Sequence, residues 1–96
     1  MNQHETITDL IDQTDDFAIT EETSATIGGE PVTIRVVEEH STDSLDRTLS
    51  HNRYVYIFDE NEIILADSEA PVKNGGLSKS KQIDMCWDKA EATLFR

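Results

Sequence analysis

Little in this chain can cross-link it, carry it into a bilayer or draw it to a polyanion. Cys86 is the only cysteine among 96 residues, which rules out an internal disulfide and agrees with a reducing compartment. No apolar run approaches the roughly 18 residues of a membrane-spanning helix, and the chain does not open on a basic stretch followed by an apolar one. The expectation is a soluble, cytoplasmic protein without membrane contact, or a virion component if its source is viral. Bases are scarce as well: 8 Lys and Arg stand against 20 Asp and Glu, so direct binding to nucleic acid is not expected. A chain of this length reads as a single domain, 1–96, that buries only about 60–65% of its unfolded surface.

What is abundant is negative charge. A net charge of −12 on 96 residues opposes compaction by self-repulsion. Salt relieves that repulsion, because the Debye length falls from about 10 Å at 0.1 M to about 3 Å at 1 M. Ten threonines beside four lysines complete a composition like that of salt-adapted proteins of halophilic archaea or their viruses. The alternative for the same charge is mimicry of nucleic acid, in which carboxylates copy phosphates and block a basic enzyme groove, as anti-restriction or anti-CRISPR inhibitors would.

Hydrophobic spacing predicts the elements. Ile7, Leu10, Ile11 and Thr14 fall at helical intervals after a Thr6 cap, which predicts an N-terminal helix over 6–14. Phe17 to Thr20 reads as a short strand. Ser24 to Ile27, the Gly28-Gly29-Glu30-Pro31 turn and Val32 to Glu39 read as a hairpin. Residues 41–52 read as polar and irregular, with one helical turn after Ser44. Arg53 to Asp59 is the strongest strand, β-branched and aromatic on both faces, and is expected at the centre of a sheet covered on both sides. Ile63 to Ala66 reads as a shorter strand near an edge. Lys79 to Phe95 reads as the main helix, with Ile83, Cys86, Trp87, Ala90 and Leu94 in one apolar stripe. The sum is an α+β two-layer sandwich: an antiparallel sheet of three to five strands with an N-terminal and a C-terminal helix.

The one basic segment, Lys73-Asn74-Gly75-Gly76-Leu77-Ser78-Lys79-Ser80-Lys81, invites comparison with the phosphate loop G-x-x-x-x-G-K-[ST]. Aligned on Lys79-Ser80, it places Lys73 and Ser78 where the glycines belong, so nucleotide hydrolysis is not expected. What survives is a candidate anion or partner contact made of Lys73, Gly75, Gly76, Lys79, Ser80 and Lys81 at a helix N-terminus. Residues 1–70 carry 17 acids and 3 bases whereas residues 71–96 carry 3 acids and 5 bases. The basic end is therefore expected to pair with the acidic body of its own fold or of a second copy.

Other side chains give weaker signals. Cys86 could serve as a nucleophile beside His40 or His51, but its place in the apolar stripe predicts a buried, inert thiol. His4, His40 and His51 share no spacing that sets two ligands on one face, so no metal site is expected. Asp59, Asn61 and Glu62 offer oxygen ligands without a calcium-loop pattern. Asp84 and Asp88, at i and i+4 on the outer face of the last helix, repel one another unless salt or a basic partner intervenes, and are candidate partner-facing acids. Met85, Ala92 and Phe95 form a second, smaller apolar strip that hints at assembly. The sequence thus points to a non-enzymatic, cofactor-free module that binds protein or associates with itself.

Overall fold

The computed structural model describes residues 17–42, 44–45, 48–72 and 76–95. Four strands, β1 (Phe17–Ile27), β2 (Glu30–Thr42), β3 (Thr48–Asp59) and β4 (Ile64–Pro71), precede one helix, α1 (Lys79–Phe95). The strands form an antiparallel meander in the order β1-β2-β3-β4, so each pairs with its chain neighbour and the small α+β architecture needs no crossover. The expected helix over 6–14 lies outside the described residues.

Turn chemistry fixes the hairpins. Gly28 and Gly29 both have positive φ, 56° and 88°, as a two-residue turn between twisted strands demands. Pairing of β2 with β3 begins at Val32↔Asp59, so the N–H that Pro31 lacks is not missed by that ladder. At the next turn, Asp59 Oδ1 accepts from the amides of Asn61 at 2.8 Å and Ile63 at 3.0 Å. Glu62 there takes a left-handed φ of 64°.

Four expectations give way, one of them the strand expected over 63–66, which runs as β4 on through Asp67 and Ser68 to Pro71. Phe17–Thr20 and Ser24–Ile27 belong to one strand, made continuous by a bulge between Ile19 and Glu21 that acidic residues had disguised as a loop. Residues 41–42 and 48–52 are not irregular but extend the β2–β3 hairpin. Ser44 and Leu45 form a turn there, and Leu45 is largely exposed. Finally, β3 is central, yet α1 covers only one of its faces, and among the described residues nothing lies across the other.

On the covered face, Val32, Ile34, Val36, Val55, Ile57 and Ala66 pack against Cys86 and Ala90 of α1. Ile83, Trp87 and Leu94 flank that contact, as the stripe predicted. A bulge opposite Ile57 and Phe58 adds Leu65 to the same cluster. Gln82, a fully buried polar residue one turn before Cys86, ties the helix start to the sheet. Its amide nitrogen donates to the Arg53 carbonyl at 2.8 Å and the Ser68 carbonyl at 3.1 Å, while its oxygen accepts from Arg53 Nε at 2.7 Å. Arg53 also donates to the Leu77 carbonyl. Among the described residues no buried side-chain nitrogen or oxygen lacks a hydrogen-bond partner, which makes the burial of this network tolerable.

Candidate binding surface

Side chains on a strand alternate between faces. On β3, Val55 and Ile57 therefore meet the helix, whereas Tyr54, Tyr56 and Phe58 point the other way. Their rings run as a ladder: Tyr54 and Tyr56 are stacked with centroids 6.4 Å apart, and Tyr56 and Phe58 follow at 6.3 Å. Phe17, at the start of β1, adds a fourth ring 5.9 Å from Tyr54. Val37 and Ile19, which pair with each other across β1 and β2, continue the apolar surface. Val37 is buried by its neighbours and Ile19 is 46% exposed.

Carboxylates frame these rings. Arg35, paired with Tyr56 in the register, holds its guanidinium 4.6 Å above the Phe58 ring. Glu62 accepts from it twice, at 2.6 and 3.1 Å, and Glu22 once at 2.7 Å. These bonds keep the guanidinium charged far beyond its ordinary range. At the other end Glu39 accepts from Asn52 at 2.9 Å and from the Tyr54 hydroxyl at 3.3 Å. Across the β3–β4 ladder, Asp67 stands opposite Tyr56 and Glu69 opposite Tyr54. A hollow of about 250 Å³ opens where those two pairs meet the rim of β4. Burial, aided by Glu39 and Glu69 for Tyr54 and by Asp67 for Tyr56, pushes both phenols up to about 12.

The positions singled out from the sequence are dispersed by comparison. Lys73 and Gly75 lie outside the described residues. Gly76 is explained by packing, since a Cβ there would collide with the Pro71 carbonyl. Lys79 reaches Glu21 on β1, with Nζ 2.9 Å from the carboxylate, so this lysine pairs with the acidic body of its own fold. Ser80 and Lys81 are exposed. The helix start is capped from within, as Ser78 Oγ accepts from the Lys81 amide at 3.3 Å and the Ser78 carbonyl accepts from the Gln82 amide at 3.0 Å. Asp84 and Asp88 are exposed on the outer side of α1.

Cys86 is fully buried, its Sγ 3.6 Å from the Val55 carbonyl, and burial pushes the thiol up to about 11. That environment suits an inert thiol. The histidines correct a spacing argument. His40 and His51 are far apart in sequence but opposite each other on β2 and β3, and their rings stack at 4.6 Å. His51 Nε2 also lies 2.8 Å from Glu38, a contact that holds the Glu38 carboxyl below its ordinary value. Hairpin register, which linear spacing does not reveal, brings them together. Among the described residues no group of three or more His, Cys, Asp or Glu is arranged to hold a metal ion. The Asp59 and Glu62 carboxylates are engaged by the turn and by Arg35.

The second apolar strip is exposed where expected, Met85 at 44% and Phe95 at 55%. Phe95 also covers Gly28, where a Cβ would stand 2.5 Å from its ring. An open groove of about 550 Å³ runs beside it, lined by Gly28, Asp88, Glu91, Ala92 and Phe95. No helix among the described residues is long and apolar enough to cross a membrane. No family model matches this chain, and neither a curated protein nor a solved structure shows significant similarity to it. Chemistry alone must identify the surface.

Proposed function

We propose that this protein is a non-enzymatic interaction module that binds another protein through the sheet face opposite α1. The observation that carries this reading is the run of Phe17, Tyr54 and Tyr56 rings, each partly exposed, beside a buried Phe58 on a face that no described element covers. Aromatic side chains offer large contact area at low entropic cost and are enriched in the centres of protein interfaces. Surrounding carboxylates disfavour phosphate and so disfavour direct contact with nucleic acid. The phenols, protonated up to about pH 12, and the buried Cys86 thiol provide neither base nor nucleophile near neutrality.

Among the described residues the remaining acids are spread over β1, β2, the β3–β4 turn, β4 and α1. That distribution favours salt adaptation, in a halophilic cytosol or a virus of such a host, over mimicry of a phosphate backbone. Two measurements test the function. Affinity capture in native salt should retain a host protein with the wild type and lose it with Tyr54→Ser, Tyr56→Ser. An identical set of captured proteins would refute the assignment of the face. Thermal unfolding should shift upward between low salt and about 2 M KCl, where screening is nearly complete, and an unchanged midpoint would remove the halophilic element.

A further inference from the structure

The interaction reading leaves the chemistry of the partner open, and the geometry narrows it. Arg35 shows what this face does with a cation. Its guanidinium lies over Phe58 and is clasped by Glu22 and Glu62, combining ring and carboxylate contacts that suit a planar cation. The same combination recurs one register step along β3. Tyr54 and Tyr56 stand there with their rings stacked on each other, and Asp67 and Glu69 stand directly across from them. Both carboxylates are exposed, and no ion pair among the described residues engages either. The Lys89 ammonium, at the edge of the hollow, donates to the Asp67 backbone carbonyl at 3.2 Å.

We infer that the hollow between Tyr54, Tyr56, Asp67 and Glu69 receives an arginine side chain from a basic segment of a partner protein, repeating with a foreign guanidinium the clasp that Arg35 makes internally. This rests on the interaction reading and deepens it. The occupant is a different protein and not a second copy, because both arginines among the described residues are already engaged, Arg35 by Glu22 and Glu62 and Arg53 by Gln82 and the Leu77 carbonyl, and Lys79 pairs with Glu21. Lys89 at the rim opposes an incoming cation and weakens its binding.

The test is an NMR titration of the full-length labelled chain with a hexapeptide of alternating arginine and glycine, beside the same peptide with citrulline in place of arginine. The amides of Tyr54, Tyr56, Asp67 and Glu69 should shift with the arginine peptide alone. The variant D67N/E69Q should weaken binding about 10-fold, and D84N/D88N, which makes the same charge change on the opposite side, less than about 2-fold. Lys89→Gln should tighten binding. Equal weakening by the two double variants would assign the effect to bulk charge and overturn the site, as would binding of the citrulline peptide or no binding at all. Concentration-dependent shifts of the same four amides without peptide would assign the hollow to a second copy and equally overturn it. If the peptide fails while affinity capture still depends on Tyr54 and Tyr56, only the cationic partner falls. If capture fails as well, the interaction reading falls with it.

Discussion

The two faces of this sheet use the same strand differently. Toward α1, β3 presents Val55 and Ile57, both with no exposed surface, in an aliphatic layer closed by Cys86 and Ala90. Away from it, β3 presents Tyr54 and Tyr56, half-buried and ringed by carboxylates. Burial without polar handles suits stability, whereas aromatic area with charge at its edge suits recognition. On this comparison the helix face holds the fold, and the proposed partner contact falls to the opposite face.

Substitutions on β3 and α1 should break the comparison if it is wrong. Ile57→Ala leaves a cavity beneath the helix and should cost about 2–5 kcal/mol in urea unfolding. Gln82→Leu removes the acceptor from the buried Arg53 Nε and should cost about 1.5–3 kcal/mol. Tyr56→Leu keeps an apolar group but loses the ring contacts, at about 0.5–1.5 kcal/mol, while binding suffers far more. A larger loss of stability for Tyr56→Leu than for Ile57→Ala would show that the open face is core.

Alkali should sharpen the same contrast. Tyr54 and Tyr56 have an ordinary value of 10.0 and are pushed up to about 12 by burial and nearby carboxylates, so the folded state favours their protonated form. Their stabilisation is complete below pH 10 and is lost as pH rises through about 12. Ultraviolet titration should therefore show phenolate appearing late in the native protein and near pH 10 in urea. Smallest of all is the exposed Lys79–Glu21 pair, for which a double-mutant cycle should give about 0.2–1 kcal/mol, less in high salt.

Much of this arrangement was legible in the sequence because its signals were local. The Lys79–Phe95 helix, its stripe and the Gly28-Gly29 turn follow from spacing and from the backbone freedom of glycine. Alternation from Tyr54 to Phe58 already separated aromatic from aliphatic positions, although the even richness of that strand pointed to cover on both faces. What stayed hidden depended on register. His40 meeting His51, Asp67 and Glu69 meeting the tyrosines, and Arg35 meeting Glu62 are all products of strand pairing. A glutamine beside an apolar stripe gives no sign of the three hydrogen bonds, to Arg53 and Ser68, that Gln82 makes in the interior.

Hydroxyl-radical footprinting of the protein bound to its captured partner tests the central claim most directly, because the oxidisable side chains divide between the two candidate surfaces. The account predicts protection of Phe17, Tyr54 and Tyr56 with Met85 and Phe95 still reactive. Protection of Met85 and Phe95 with the tyrosines unchanged would contradict it and move the interface to the outer side of the helix.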